Sequence, residues 1–431
     1  MRKIVSFVKK HTVIIILIAI SILFPQSFSY QSKLNMRVIV TAIAIDKVED
    51  NYEVTMQIVM PKTGAEQGNG TASIGFITER GKSISEGIQK IAYKIGKTAG
   101  LSHISTLIVG QSMLSGNLAT ELDYFVRSPE LNTVVMLLIA PESAKEMLKK
   151  TESLELTEAV RLQKVFVYKE SSLNGLMMPI ESFINNTLSI SASSTASGIL
   201  IADEGEEVLG QSTDETIKNQ RQNQQEQAGQ ISSASGQDKD SQTSSTQKGR
   251  IKYYNDVYYF KNGQFVNKLD NEDEILGYYL SNRAPNSGEV VVENVNGDFL
   301  KDATISFKFR KQETTPKINF KDGRPVLTFD ISFTDVKISE ILNQGNVTSA
   351  VFEFQAESSS ANIKKAIQDR VENCVRACFE KAKDDNVDIF KIADFAFKYK
   401  PNEWKNFYAE KGESYVKDVE IEVNVKVNNF N

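Results

Sequence analysis

The 431-residue sequence is poor in the side chains on which most chemistry depends, with two histidines and two cysteines. His11 precedes an apolar run, so His103 is the single imidazole in the rest of the chain. A His-rich metal site or a two-imidazole mechanism cannot be built from one copy. His103 lies in Leu-Ser-His-Ile-Ser, two residues before Ser105. A Ser–His pair would need an acid and an oxyanion hole, and no Gly-x-Ser-x-Gly elbow occurs, so the surroundings fit a hydrogen-bonded turn histidine. Cys374 and Cys378 are four apart in a helical pattern. That spacing aims them poorly for a disulfide and leaves a metal short of tetrahedral ligands, so both read as core thiols.

Gly81-Lys82-Ser83 follows a strand pattern and opens a helix pattern, as a phosphate-binding loop does. The upstream Gly75 is separated from Gly81 by five residues where the loop requires four, so the triplet reads as a polar helix start. Fifty-five acidic residues make carboxylate pairs uninformative. Asp203-Glu204 and Glu206-Glu207 look like solvated turns, and Glu272-Asp273-Glu274 like a helix N-terminus, where negative charge suits the dipole. No Asp-x-Asp-x-Asn-Gly calcium loop is present. Trp404, the only tryptophan, reads as an aromatic packed beside the last helix, or else as an interface anchor.

The elements that must position these residues begin after a distinctive N-terminus. Four basic residues (Arg2, Lys3, Lys9, Lys10) precede the apolar stretch Thr12 to Phe24, followed by Pro25 and Ser27-Phe28-Ser29. This is the layout of an export signal. Thirteen residues span about 20 Å of helix against about 30 Å of hydrocarbon, so residues 1–29 are either a cleaved signal or a short retained anchor. Setting the four basic residues aside moves the net charge from −5 to −9, which argues against a nucleic-acid partner.

Arg37 to Asp46 and Tyr52 to Met60 are β-branched runs around a polar turn and predict a hairpin, with Thr71 to Thr78 as a further strand. Ser83 and Glu86 form a capping box ahead of Ile84, Ile88, Ile91 and Ile95 at helical spacing. A strand at Ser105 to Gly110, a helix through Leu114 to Val126, a strand at Val134 to Ala140 and a helix after Pro141 complete an α/β unit. Ser153 to Leu188 is irregularly helical, with a strand at Ala196 to Ala202. Gln211 to Gly249 is almost entirely polar and reads as a disordered insertion.

Strand patterns at Tyr253 to Phe260 and Gln264 to Leu269 flank Asn262-Gly263, a hairpin turn signal, and a helix runs from Asn271 to Asn282. Strands follow at Glu289 to Val295, Ala303 to Arg310, Pro325 to Ile338 and Val419 to Val427, around an amphipathic helix at Ala361 to Lys383. The fold class is therefore α/β (α+β mixed). Its expected domains are residues 30–151, residues 152–288 interrupted by 211–249, and residues 289–431 with the long helix 361–383.

These stretches resemble the Ger(x)C spore germination family, the C subunits of nutrient germinant receptors. RVIVTAIAIDKVEDNYEVTMQIVMPK looks like the family's opening hairpin, and GKSISEGIQKIAYKIGK with LSHISTLIVGQ like its next helix and strand. Asp123, Phe125, Arg127, Pro129 and Glu130 are similar to its Asp-x-Phe-x-Arg-x-Pro-Glu pattern. VYYFKNGQFVNKLDNEDEILGYYL resembles its later hairpin and helix. KDGRPVLTFDISFTDVKISEI, with Glu340, and DIFKIADFAFKYKPNEWKNF, with Asp388, Phe395 and Trp404, resemble its C-terminal domain.

The resemblance implies a three-domain ectodomain at the outer face of the spore inner membrane. It would act with a membrane-embedded A subunit and a permease-like B subunit, without enzymatic activity, cofactor or metal. Family members are typically lipoproteins, whereas the stretch from Phe24 to Tyr30 has no cysteine to carry a lipid. Arg127, Glu130 and Glu340 are the candidate partner-interface residues, with an internal salt bridge or helix cap as the alternative for each. Two other readings stand beside this one. An exported carboxylate-dependent cell-wall hydrolase would show an acidic pair in a cleft, and an extracellular ligand-binding protein would show a deep aromatic pocket between domains.

Overall fold

The computed structural model describes residues 37–60, 73–131, 134–149, 178–199, 256–282, 287–297, 300–342 and 349–428. The export-signal pattern, the acidic cluster at 203–207, the polar insertion and residues 153–177 of the irregular stretch 153–188 lie outside the described residues.

The chain opens with β1 (Arg37–Val48) and β2 (Asn51–Met60), paired antiparallel across a turn in which Glu49 adopts the left-handed conformation. β3 (Ser73–Gly81) adds to β2. α1 (Ile84–Ile95) follows, and its capping box forms as the spacing predicts: Ser83 Oγ accepts from Glu86 N at 3.1 Å and Glu86 Oε2 accepts from Lys82 N at 2.7 Å. The short strand β4 (Thr98–Gly100) pairs with β1. β5 (Thr106–Gly110) and β6 (Met136–Ala140) are buried along their whole length, as parallel strands covered on both faces must be. The single helix expected through Leu114 to Val126 is instead a 3-10 turn, α2 (Leu118–Glu121) and α3 (Asp123–Arg127), broken first at Gly116 and Asn117 and again at Leu122. Asn117 caps α2 by accepting from Thr120 N.

α4 (Ala144–Lys149), α5 (Ile180–Thr187) and β7 (Ser193–Gly198) lead to β8 (Val257–Lys261) and β9 (Gln264–Leu269). Asn262 and Gly263 both have positive φ, the conformation a two-residue hairpin turn demands. The strands form one nine-stranded sheet in the order β3-β2-β1-β5-β6-β7-β8-β9, with β4 beside β1. Strands from the expected units 30–151 and 152–288 share this sheet.

α6 (Glu272–Asn282) precedes β10 (Gly288–Val295), β11 (Ala303–Phe309), β12 (Lys311–Lys321), β13 (Arg324–Thr334) and β14 (Lys337–Leu342). The single strand expected from Pro325 to Ile338 divides at Asp335, whose positive φ sends the chain from one sheet to another. β10, β11 and β14 form one sheet; β12, β13 and β15 (Glu420–Val427) form another. Arg310 and Asp335, at the two crossings between these sheets, are ion-paired at 2.8 Å.

α7 (Ser349–Asp384) begins twelve residues before the expected Ala361, because the apolar stripe that marks a helix in sequence starts only at Ile363. α8 (Ile392–Tyr399) and α9 (Pro401–Lys411) complete the chain before β15. Trp404 lies within α9 and is buried against Phe407 and Tyr415.

Three apolar cores result. One packs α1, α2, α3 and α5 against a face of the large sheet, and a smaller one packs α4 against the opposite face. The third joins the two C-terminal sheets to α6 through α9. β8 belongs to two of them at once: Tyr258 and Phe260 face the first core, Val257 and Tyr259 the third. Alternation along one strand thus couples the halves of the molecule.

Candidate functional site

The densest polar construction lies where the turn between α7 and α8 meets the β7–β9 end of the large sheet. α7 stops at Asp384, and Asn386 and Lys391 then take left-handed conformations that fold residues 385–391 into a compact turn. The Asp385 carboxylate accepts from the Tyr259 hydroxyl and from Asn267 Nδ2 at 3.0 Å. Lys261 Nζ donates to the Asn386 and Glu413 carbonyls at 3.0 and 3.2 Å. Asp388 N donates to Ser193 Oγ at 3.2 Å. The Thr195 and Tyr278 hydroxyls are 2.9 Å apart. Asp394, in the first turn of α8, accepts from Ser189 Oγ at 3.2 Å, Ile190 N at 3.0 Å and Ser191 N at 3.4 Å.

Asp388 is the buried centre of this seam. Its carboxylate accepts from Ile392 N at 2.8 Å and Ala393 N at 2.9 Å, capping α8, and from the Tyr415 hydroxyl at 2.7 Å. Burial pushes its pKa up from 3.8 to about 6, with the three donors holding back part of that rise. The Tyr259 hydroxyl is likewise pushed up, by burial and by the Asp385 carboxylate it bonds.

β7 reads Ser-Ser-Thr-Ala-Ser-Gly and all six residues are buried. At Gly198 a Cβ would sit 2.9 Å from the Tyr258 ring.

A second polar cluster lies toward the other end of the strand order, at β1 and β2. Asp46, buried at the end of β1, accepts from Ala144 N at 2.8 Å, Lys145 N at 2.9 Å and Ser143 Oγ at 3.0 Å, capping α4. Glu53 lies between Arg80 at 2.8 Å and Lys145 at 2.9 Å. Burial pushes its pKa up, but the bonds to the two bases outweigh burial and hold it below the usual carboxylate range. In both clusters the carboxylates are engaged by fixed N–H, O–H or cationic donors within the protein, an arrangement suited to joining elements.

Among the described residues no group of three or more His, Cys, Asp or Glu side chains is placed to hold a metal ion. A shallow cavity of about 440 Å³ lies at the crossing between the C-terminal sheets, lined by Lys308, Phe309, Arg310, Asp335 and Lys337.

The residues singled out in the sequence occupy separate places. Arg127 ends α3 and pairs with Asp123 at 2.6 Å on an exposed face. Glu130 pairs with Arg37 at 3.2 Å. Glu340 is exposed on β14 opposite Ser306. No contact joins Glu340 to the other two among the described residues. His103 is exposed in a 3-10 turn. Cys374 and Cys378 are free and buried on α7, the first with its thiol pushed by burial up to about 12, the second well above its ordinary value. The seam acids Asp385 and Asp394 carry no sequence pattern that marks them. Asp388 did have a local signal, an acid four residues ahead of the apolar helix start at Ile392.

Fold and site together define a multi-domain protein of mixed α/β class whose halves are joined through a shared sheet and a buried polar seam. Two family models match it in chain order: the spore germination protein N-terminal domain over residues 30–200, and the spore germination B3/GerAC-like C-terminal domain over residues 255–429. The chain belongs to the GerAC-like spore germination proteins. It is 26% identical over 147 residues to the putative spore germination protein YfkR of Bacillus subtilis (strain 168), covering 33% of this chain and 38% of that protein. It is 23% identical over 141 residues to spore germination protein B3 of the same organism, covering 32% and 37%. The matched stretch thus spans under two fifths of either curated relative. A solved structure, the crystal structure of the GerBC protein, aligns over 89% of this chain and 96% of that chain, with a TM-score of 0.47 and 15% identity.

Proposed function

We propose that the chain is a non-enzymatic ectodomain subunit of a spore nutrient germinant receptor. It acts at the outer face of the spore inner membrane with the A and B membrane subunits, in receptor assembly or signal transfer. The observation that carries this reading is the ordered pair of family matches, which together cover both halves of the chain. The character of the polar clusters supports it, because the buried acids Asp46, Glu53 and Asp388 cap helices or neutralise bases. No helix among the described residues is long and apolar enough to cross a membrane.

Arg127, Glu130 and Glu340 serve as partner-facing groups in this reading. The Arg127–Asp123 and Arg37–Glu130 pairs are exposed and screened by solvent, so either can exchange its partner at little cost.

A deletion strain tests the proposal. Spores lacking the chain, in a background without sister receptors, should lose the response to at least one nutrient and regain it on complementation. Normal germination with every nutrient would overturn the reading. Charge reversal at Glu340 that leaves germination intact would remove that residue from the interface.

A further inference from the structure

α8 and α9 meet at a corner that presents an unusual surface. Phe397 and Tyr399 are 55% and 56% exposed at the end of α8, interleaved with Lys398 and Lys400 in the order Phe-Lys-Tyr-Lys. Pro401 begins α9 immediately afterwards, so the four residues sit at the apex of a helix–helix turn. The Tyr399 ring stacks on Phe395 at 6.3 Å, which roots it in the core, and Lys398 Nζ lies 5.1 Å from its centroid.

Across Asp394 the surface continues. The Ser189–Ser191 loop bound by that carboxylate carries Ile190, 47% exposed, and follows Leu188, 79% exposed. Four large apolar side chains from two separate elements are therefore exposed around the Asp394 contact.

The surrounding charge is positive. Lys391, Lys398, Lys400 and Lys405 make no ion pair among the described residues. Of the acids of α8 and α9, Asp394 is occupied by the loop and Glu410 by Lys411, leaving Glu403. Just beyond, Glu413 accepts from the Tyr408 hydroxyl at 2.6 Å. A cationic apolar corner on a chain of net charge −5 marks a local preference for an anionic partner rather than a general one.

We propose that this corner docks on an anionic lipid surface, Leu188, Ile190, Phe397 and Tyr399 entering the headgroup region while Lys398 and Lys400 meet lipid phosphates. Aromatic side chains flanked by lysines suit the bilayer interface, where a polar tip and an apolar body are both accommodated. The residues crown a helix turn, which suits a yielding lipid boundary. The basic and apolar pattern of residues 1–29 also addresses the chain to a membrane. The surface rests on exposure and charge, so it stands or falls separately from the germination reading.

The test places an environment-sensitive fluorophore on the full chain through Tyr399→Cys, with Val291→Cys on the exposed face of β10 as the control site. Cys374 and Cys378 are buried and remain unlabelled. Phosphatidylglycerol-containing vesicles should shift the probe at 399 to the blue and leave the probe at 291 unchanged. Lys398→Gln with Lys400→Gln should weaken the vesicle-concentration dependence of that shift about 30-fold, at about 1 kcal/mol per lysine. Circular dichroism establishes that each variant is folded. Equal shifts with pure phosphatidylcholine, equal shifts at both sites, or no shift at 399 would each overturn the proposal. A shift produced only by added membrane-protein partners would assign the corner to a protein instead.

Discussion

Asp394 holds Ile190 across 204 positions of sequence, its Oδ1 accepting from the Ile190 backbone N–H at 3.0 Å. Its other oxygen takes the Ser189 hydroxyl and Ser191 N–H, so one side chain of α8 fixes the loop leading into β7. Asp394→Ala should remove the acceptor of all three bonds and destabilise the chain by about 1–3 kcal/mol, the net loss of hydrogen bonds to a charged acceptor. Amide hydrogen exchange at Ile190 and Ser191 should accelerate well beyond that of β5. Unchanged protection at those amides would show that the loop is held by packing alone.

Gly277 and Cys374 mark the closest approach of α6 and α7. A Cβ on Gly277 would lie 2.0 Å from the Cys374 carbonyl oxygen, against backbone that cannot rotate away. Gly277→Ala should therefore separate the helices and cost about 1–3 kcal/mol or more in urea denaturation. Gly323→Ala is the contrasting case. A Cβ there meets nothing within 4 Å, and the penalty comes from its positive φ alone, about 1–2 kcal/mol. The two variants should differ in kind: the first alters packing around Cys374 and Cys378, and the second leaves both thiols as buried as before.

These relationships explain what the sequence could and could not disclose. Continuous apolar runs marked the strands around Ile43, Leu107 and Leu138, which are buried on both faces, and periodicity exposed the helix carrying Ile84 to Ile95, because one-sided burial writes a period of 3.6 into the chain. Ser83, Glu86 and Asn262-Gly263 were legible because their bonds and backbone geometry are local. β12 was missed: its edge position tolerates Pro316 and several charges, which blur the alternation. The seam was also invisible. Asp385, Asp394 and Lys261 gain their meaning from partners more than 100 residues away in sequence, which no local pattern records. Arg127 and Glu130 stood out as polar landmarks, yet they lie on the other face of the sheet system from this polar construction.

Gly110 and Asp46 support a third prediction. A Cβ at Gly110 would come within 2.0 Å of Asp46 Oδ1, so glycine leaves the space in which the carboxylate caps α4. Gly110→Ala and Asp46→Ala should each loosen α4. Because they disrupt one contact, the double variant should cost less than the sum of the singles. Strict additivity would mean that the two residues act independently.

Asp388 makes stability depend on pH. Its pKa is raised by burial from 3.8 to about 6, so the folded state binds the proton more tightly than the unfolded state does. The associated stability is fully present below pH 4 and is lost as pH rises through 6, amounting to about 3 kcal/mol at 1.36 kcal/mol per pH unit. Glu53 acts in the opposite sense: its pKa is lowered, and its contribution is lost as pH falls. Asp388→Asn removes one titration while leaving the other. The unfolding free energy of the native chain minus that of the variant should therefore fall by about 2.5 kcal/mol between pH 4 and pH 7. A flat difference would show that the Ile392, Ala393 and Tyr415 donors compensate fully for burial, and that the centre of the seam carries its charge without cost.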